Sequence, residues 1–240
     1  MIKIENVSKS YGSIQAVDNV TMTLAPDEVV VILGPSGCGK TSLLRLIAGF
    51  EYPDSGTIKM GDQMLSSKHQ KLAPSRRHLN MVFQDLGLWP HMTVFNNIAF
   101  GLKRSGITRQ QIVARTKEIL QQVSLQPHQQ RFPSHLSGGE KQRLAIGRAI
   151  ATTPDYLLLD EPFNNLDVIL KQEMIDLLLA LKKKMGMGIL YVTHHLDEVL
   201  NLAERVIAMQ QGELRQIIEK TQSFNEQELL TWYTENIQHS

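Results

Sequence analysis

Gly34-Pro35-Ser36-Gly37-Cys38-Gly39-Lys40-Thr41 sets glycines, a lysine and a hydroxyl in the spacing G-x-x-x-x-G-K-T. Such a loop suits a phosphate, because bare glycines let backbone N–H groups curl around the oxygens, Lys40 neutralises β/γ charge and the Thr41 hydroxyl can ligate Mg²⁺. A helical run from Ser42 to Ala48, closed by Gly49, follows the loop, so a helix N-terminus adds its positive dipole end. Asp160-Glu161 ends another apolar run. Asp160 can hold Mg²⁺ or its waters, and Glu161 can orient or deprotonate an attacking water; successive strand side chains diverge, which separates the two roles. In Leu136-Ser137-Gly138-Gly139-Glu140-Lys141-Gln142-Arg143, Ser137 and Glu140 read as a capping box. The serine hydroxyl and glycine amides read equally as a second anion site.

These groups need elements to position them. Val29-Val30-Val31-Ile32-Leu33 is an unbroken apolar run ending at Gly34, as expected of a parallel strand covered on both faces. Residues 156–159, before Asp160-Glu161, and 189–192, before Thr193-His194, repeat that design. Three buried strands thus deliver polar groups at their carboxyl ends, the ligand edge of an open α/β sheet. Ile2 with Ile4, and Val20, Met22 and Leu24 alternating with threonines, predict half-buried antiparallel strands near the start. Residues 93–152 read as a helical insertion, with a capping box at Thr108 and Gln111 and with Ile112, Ile119, Leu120 and Val123 on one face. A closing helix over 225–237 is expected to pack through Leu230, Tyr233 and Ile237, and Lys182-Lys183-Lys184 to complement a helix's carboxyl end.

Composition narrows the partners. The net charge of +1 gives no basic field to favour nucleic acid or an anionic membrane surface. Cys38 is the single cysteine, which excludes an internal disulfide and fits the reducing cytosol. No signal peptide opens the chain and no apolar run approaches the ~20 residues that span a bilayer, so membrane association is expected through another protein. Alkylation of Cys38, inside the phosphate loop, is expected to block nucleotide binding.

The phosphate loop together with the Leu136–Glu140 segment resembles the ATPases of ABC transporters, over residues 2–214. The resemblance implies an α/β fold with a P-loop RecA-like core and a mainly parallel sheet, an N-terminal antiparallel β subdomain and an inserted α-helical subdomain. It divides the chain into an ATPase domain over 1–215, with the helical subdomain at about 88–153, and a short helical tail over 216–240. ATP and Mg²⁺ are the implied ligands, bound by Gly34, Pro35, Ser36, Gly37, Cys38, Gly39, Lys40, Thr41 and Ser42, with Tyr11 stacked on adenine. Thr41, Asp160 and Gln84 would serve the metal. Glu161, Gln84, which would sense the γ-phosphate, and His194, as the switch histidine, would be catalytic. Leu136, Ser137, Gly138, Gly139 and Glu140 would act in trans on the nucleotide of a second copy, with Asn165-Leu166-Asp167 in the dimer-contacting loop.

Glu140, His195 and Asn164-Asn165 depart from the family's commoner glutamine, aspartate and smaller residues. The segment 85–94, with Trp89, resembles the importer branch and implies a groove for membrane-embedded permease subunits, served by an extracytoplasmic solute-binding protein. The implied place is cytoplasmic, peripheral on the inner face of the membrane. The C-terminal regulatory domain of many relatives is not expected, since the chain ends about 26 residues after Leu214. An exporter or lipoprotein-release motor, or a soluble non-transport ABC ATPase, shares the same catalytic residues and stays open as an alternative. The cargo is not legible.

Overall fold

The structure is a computed structural model that describes residues 1–103, 106–164, 166–219 and 226–235. It has the α/β architecture expected. Strands β1 (Ile2–Tyr11), β2 (Ile14–Leu24), β4 (Ser55–Met60) and β5 (Gln63–Ser67) form an antiparallel sheet in the order β2-β1-β4-β5. Its alternation is the one read from the sequence: Val20, Met22 and Leu24 are buried while Thr21 and Thr23 face out.

A second sheet has the order β10-β9-β3-β8-β7-β6, from β3 (Val29–Leu33), β6 (Leu79–Val82), β7 (Tyr156–Asp160), β8 (Gly188–Thr193), β9 (Arg205–Gln210) and β10 (Glu213–Glu219). All its pairings are parallel except β10 on β9. The three apolar runs become its centre. Every residue of β3, β7 and β8 is buried, which explains why they show no alternation: each strand is covered on both faces. Val29, Val31 and Leu33 point into one core with Leu157, Leu159, Ile189 and Tyr191, under helices α2 (Val94–Leu102), α3 (Arg109–Gln122), α4 (Gly138–Ile150) and α5 (Val168–Met185). Val30 and Ile32 point the other way, into a core with α1 (Lys40–Ala48) and the antiparallel sheet. Each such side chain contributes about 1.5–3 kcal/mol by leaving water.

Helix ends follow local chemistry. Thr108 with Gln111, and Ser137 with Glu140, form the two capping boxes. Gly186 ends α5 in the left-handed region (φ 64) after Lys182, Lys183 and Lys184 in the last turn. α1 starts at Lys40, two residues before the sequence reading placed it. Its carboxyl end is tied by Arg77, a fully buried side chain that donates to the carbonyls of Leu46, Ile47, Leu65 and Leu72 and to Ser66 Oγ.

Near the end, β10 runs across position 215, and α7 covers Glu226–Tyr233. The packing face of α7 differs in part from the expectation: Tyr233 packs against the core as expected, but Leu230 does not. Leu229 and Trp232 are buried at 1% and 8% exposure, while Leu230 is 50% exposed. A one-residue error in phase turns a helix face by about 100°, and so short an amphipathic pattern leaves that phase open. Asn225 and Ile237 lie outside the described residues.

Candidate active site

Register brings the reactive groups to one edge. Leu33 pairs with Thr193, and Asp160 with Val192, so the phosphate loop, Asp160-Glu161 and His194 all leave the carboxyl ends of adjacent parallel strands. Val82 pairs with Leu159, which sets Gln84 at the same edge, two residues past β6.

The loop is a cradle that side chains would fill. Gly39 has φ 109, and a Cβ there would lie 2.0 Å from the Ala16 carbonyl oxygen; at Gly34 it would lie 2.2 Å from that of Met209. No side chain caps α1, so its first N–H groups are left to the loop's ligand. Lys40 is buried, and its Nζ donates to the carbonyls of Gly34 (2.7 Å) and Pro35 (2.9 Å) and lies 3.6 Å from Glu161 Oε1. Cys38 is 6% exposed, and burial pushes its thiol pKa up, only partly offset by Lys40. This corrects the expectation of a reactive thiol: position in the loop does not give access, because the side chain points into the core with Leu43 and Met209.

Thr41 Oγ1 donates to Asp160 Oδ1 at 2.9 Å. Asp160 is 4% exposed, and burial raises its pKa while the Thr41 hydroxyl opposes that shift. A buried carboxylate with a hydroxyl as its hydrogen-bonding side chain, both hard oxygen donors, fits a divalent cation that completes its shell from phosphate and water. Among the described residues no three His, Cys, Asp or Glu side chains cluster as a metal site.

Glu161 leaves the strand through a left-handed residue conformation (φ 44), uncommon without glycine. That turn, as well as the strand pleat, parts the two carboxylates. Burial opposes ionisation of Glu161, but the Asn164 amide at 2.5 Å, His194 and Lys40 outweigh it and hold its pKa below the usual carboxylate range. His194 Nδ1 lies 3.2 Å from Glu161 Oε1, and the His194 and His195 rings stack 4.1 Å apart. Tyr11, 42% exposed, hydrogen-bonds through its hydroxyl to the Glu51 carboxylate. Gln84 is exposed, and its side chain hydrogen-bonds to none of the described residues.

Within one chain, Leu136, Ser137, Gly138, Gly139 and Glu140 belong to the start of α4, which packs on α2, α3, α5 and β6. Ser137 Oγ accepts from the Glu140 N–H at 3.3 Å, and Glu140 Oε2 accepts from the Ser137 N–H at 2.7 Å. Ser137 and Gly138 are exposed, and nothing lies within 4 Å of a Cβ built at Gly138. Asp167 caps α5 by accepting from the Leu170 N–H at 3.0 Å, beside Val168 and Ile169, exposed at 79% and 75%. Asn165 lies outside the described residues.

Residue-type reasoning missed Gln142, whose Nε2 donates to the Pro162 carbonyl at 2.9 Å and joins α4 to the turn after Glu161. It also missed the part of Arg148, which donates to the carbonyls of Leu86 and Gly87 and lies 4.8 Å from the Trp89 ring. Both sit on the inner side of α4, and the helical phase starting at Ser137 was the only signal. Trp89, Phe83, Phe50 and Arg148 line a surface groove of about 330 Å³.

The profile of the ABC transporter family matches residues 17–164. The spermidine/putrescine import ATP-binding protein PotA of Pseudomonas aeruginosa is 44% identical over 217 residues, 90% of this chain and 59% of that protein. Its Thermotoga maritima namesake is 43% identical over 90% of this chain and 58% of its own. The chain therefore spans about 59% of the length of such curated relatives. Among solved structures, a dimeric ATP-binding cassette in a post-hydrolysis state with ADP and Pi shares 29% identity with a TM-score of 0.81, covering 91% of this chain and 98% of its own. A nucleotide-free cassette from an ABC transporter gives a TM-score of 0.82 at 25% identity, covering 96% and 95%. With that family match across the loop, the carboxylates and the start of α4, the chain belongs to the ATP-binding cassettes of the ABC transporter family.

Proposed function

We propose that the chain binds and hydrolyses ATP as the motor of an ABC importer. The observation that carries this is the convergence of Lys40, Thr41, Asp160, Glu161 and His194 at one sheet edge. Residues 34–42 hold the phosphates, Lys40 exchanging its carbonyl partners for β/γ oxygens, and Tyr11 supports the adenine. Thr41 and Asp160, with Gln84, hold Mg²⁺, which when bound neutralises developing phosphate charge. Glu161, ionised at neutral pH, accepts a hydrogen bond from the water that attacks the γ-phosphorus; the bond to the β–γ bridging oxygen breaks, giving ADP and phosphate. His194 holds Glu161 in place. Losing Glu161 costs about 10²–10⁴ in rate.

The exposed start of α4 supports action in trans. Ser137, Gly138 and Gly139 of one copy close on the γ-phosphate held by the other, Leu136 and Glu140 shape that helix end, and the Asp167 turn with exposed Val168 and Ile169 meets the partner. The helices over 88–153 act as the lobe that carries this end, within an ATPase unit over 1–215 that β10 carries on to 219, and the Trp89 groove receives a permease subunit. No described helix is long and apolar enough to cross a membrane, which suits peripheral attachment at the cytoplasmic face. The relatives named above are import proteins, which supports import with a solute-binding protein; nucleic acid has no part. With Mg-ATP, Glu161→Gln should elute as a dimer in size-exclusion chromatography and Ser137→Arg, added to it, should restore the monomer. Identical monomer elution of both sinks the sandwich.

A further inference from the structure

Glu198 is fully buried, four residues past His194 in α6 (Leu196–Leu202). Its Oε2 accepts from Thr193 Oγ1 at 2.6 Å and from the Tyr191 hydroxyl at 2.9 Å, both on β8. Its Oε1 meets Lys171 Nζ at 3.3 Å, and that ammonium also reaches Asp197 Oδ2 at 3.0 Å. Lys171 stands in the first turn of α5, its N–H donating to the Asp167 carbonyl at 2.9 Å. Thr193 is held from two further sides: its Oγ1 accepts from the His195 N–H at 3.0 Å, and its carbonyl accepts from the Gly34 N–H at 3.3 Å. The Tyr191 ring lies 5.9 Å from that of Phe163, in the turn between Glu161 and Asp167.

A carboxylate in a dry core costs several kcal/mol, and packing alone would be served as well by an apolar side chain of the same volume. What a buried carboxylate held by two hydroxyl donors and an ion contact adds is a single fixed arrangement. The backbone it fixes here is that of Thr193, from which His194 extends to Glu161. We propose that Glu198, clamped by Lys171, is a positioning residue that sets His194 against Glu161 and ties that contact to the Asp167 end of α5. A shift of the Asp167 turn then moves Lys171, and with it the carboxylate that holds Thr193. The inference rests on the ATPase reading above and assigns no chemistry to Glu198 itself.

The test is a double-mutant cycle on the full chain with Mg-ATP, using Glu198→Gln, His194→Ala and the pair. Glu198→Gln should lower kcat about 10- to 100-fold with KM for ATP within about twofold, since a misplaced group loses transition-state stabilisation and not ground-state binding. In the His194→Ala background it should have no further effect, because both changes remove one contact. Multiplying effects, or a rise in KM with kcat unchanged, overturn the proposal in favour of a purely structural role. An inactive wild type would overturn the ATPase reading, so the His194 imidazole NMR signal is read as well. Glu198→Gln should move that signal at neutral pH without nucleotide, and an unmoved signal overturns the positioning role. If Glu198→Gln does not fold, Lys171→Met carries the same cycle, with an expected loss of about 3- to 10-fold in kcat.

Discussion

Arg77 is the residue whose removal the structure prices most directly. Its guanidinium is fully buried with five acceptors and no carboxylate, and burial lowers its pKa to about 10, so it is still charged at neutral pH. Arg77→Ala leaves those acceptors behind, though not all of them bare. The Leu46 carbonyl keeps the Gly49 N–H, and the Leu65 carbonyl keeps the Leu72 N–H. The carbonyls of Ile47 and Leu72 and the Ser66 hydroxyl lose the donor the structure gives them. At about 1–3 kcal/mol for each buried group left unmatched, the loss is ~3–5 kcal/mol once water entering the cavity has recovered part of it. Arg77→Lys keeps the charge and three donors without the planar fork, so a loss of about 2 kcal/mol is expected. Against a typical stability of 5–15 kcal/mol, Arg77→Ala would approach the folding threshold. Urea unfolding followed by far-UV circular dichroism measures both, with an unchanged m value confirming a common transition. If Arg77→Ala falls within about 1 kcal/mol of wild type, the buried bonds do not carry the weight assigned to them.

Asp160→Asn should raise the melting temperature without metal at pH 7, by roughly 2–4 °C if neutralising the carboxylate relieves about 1 kcal/mol. Because burial raises this carboxyl's folded pKa, its cost appears as pH rises above about 4, so the gain should vanish below that pH; a pH-independent gain would refute the cause assigned. Ser137→Ala removes the α4 cap and should cost about 1 kcal/mol in the same urea assay, even where nucleotide is absent. Iodoacetamide should modify Cys38 at least about tenfold more slowly in the native chain than in urea, measured by mass spectrometry, whereas equal rates would show the thiol to be open.

The strongest features of this protein were local, and local physics is what a sequence displays. Five consecutive apolar residues before Gly34 fit a strand covered on both faces, and the glycines beside Lys40 fit a backbone that must come close to an anion. Thr108 with Gln111 and Ser137 with Glu140 cap their own helices through neighbours three residues away, so those starts were fixed before any packing. Other features depend on partners far along the chain. Cys38 looked accessible by its place in the loop and is buried in the core beneath it. Leu230 looked like the packing residue of α7, but the cleft beside α6 accepts Leu229 and Trp232, which sets a phase that the segment's own pattern leaves open. Arg77 and Glu198 carry no signal in their own stretch of sequence and lie at 0% exposure, because four carbonyls gathered from three segments meet the first, and Tyr191, Thr193 and the Lys171 ammonium meet the second. Residue type and spacing singled out the groups suited to phosphate; only the tertiary structure decided what holds those groups still, because a buried charge is stabilised by partners that no local spacing brings together.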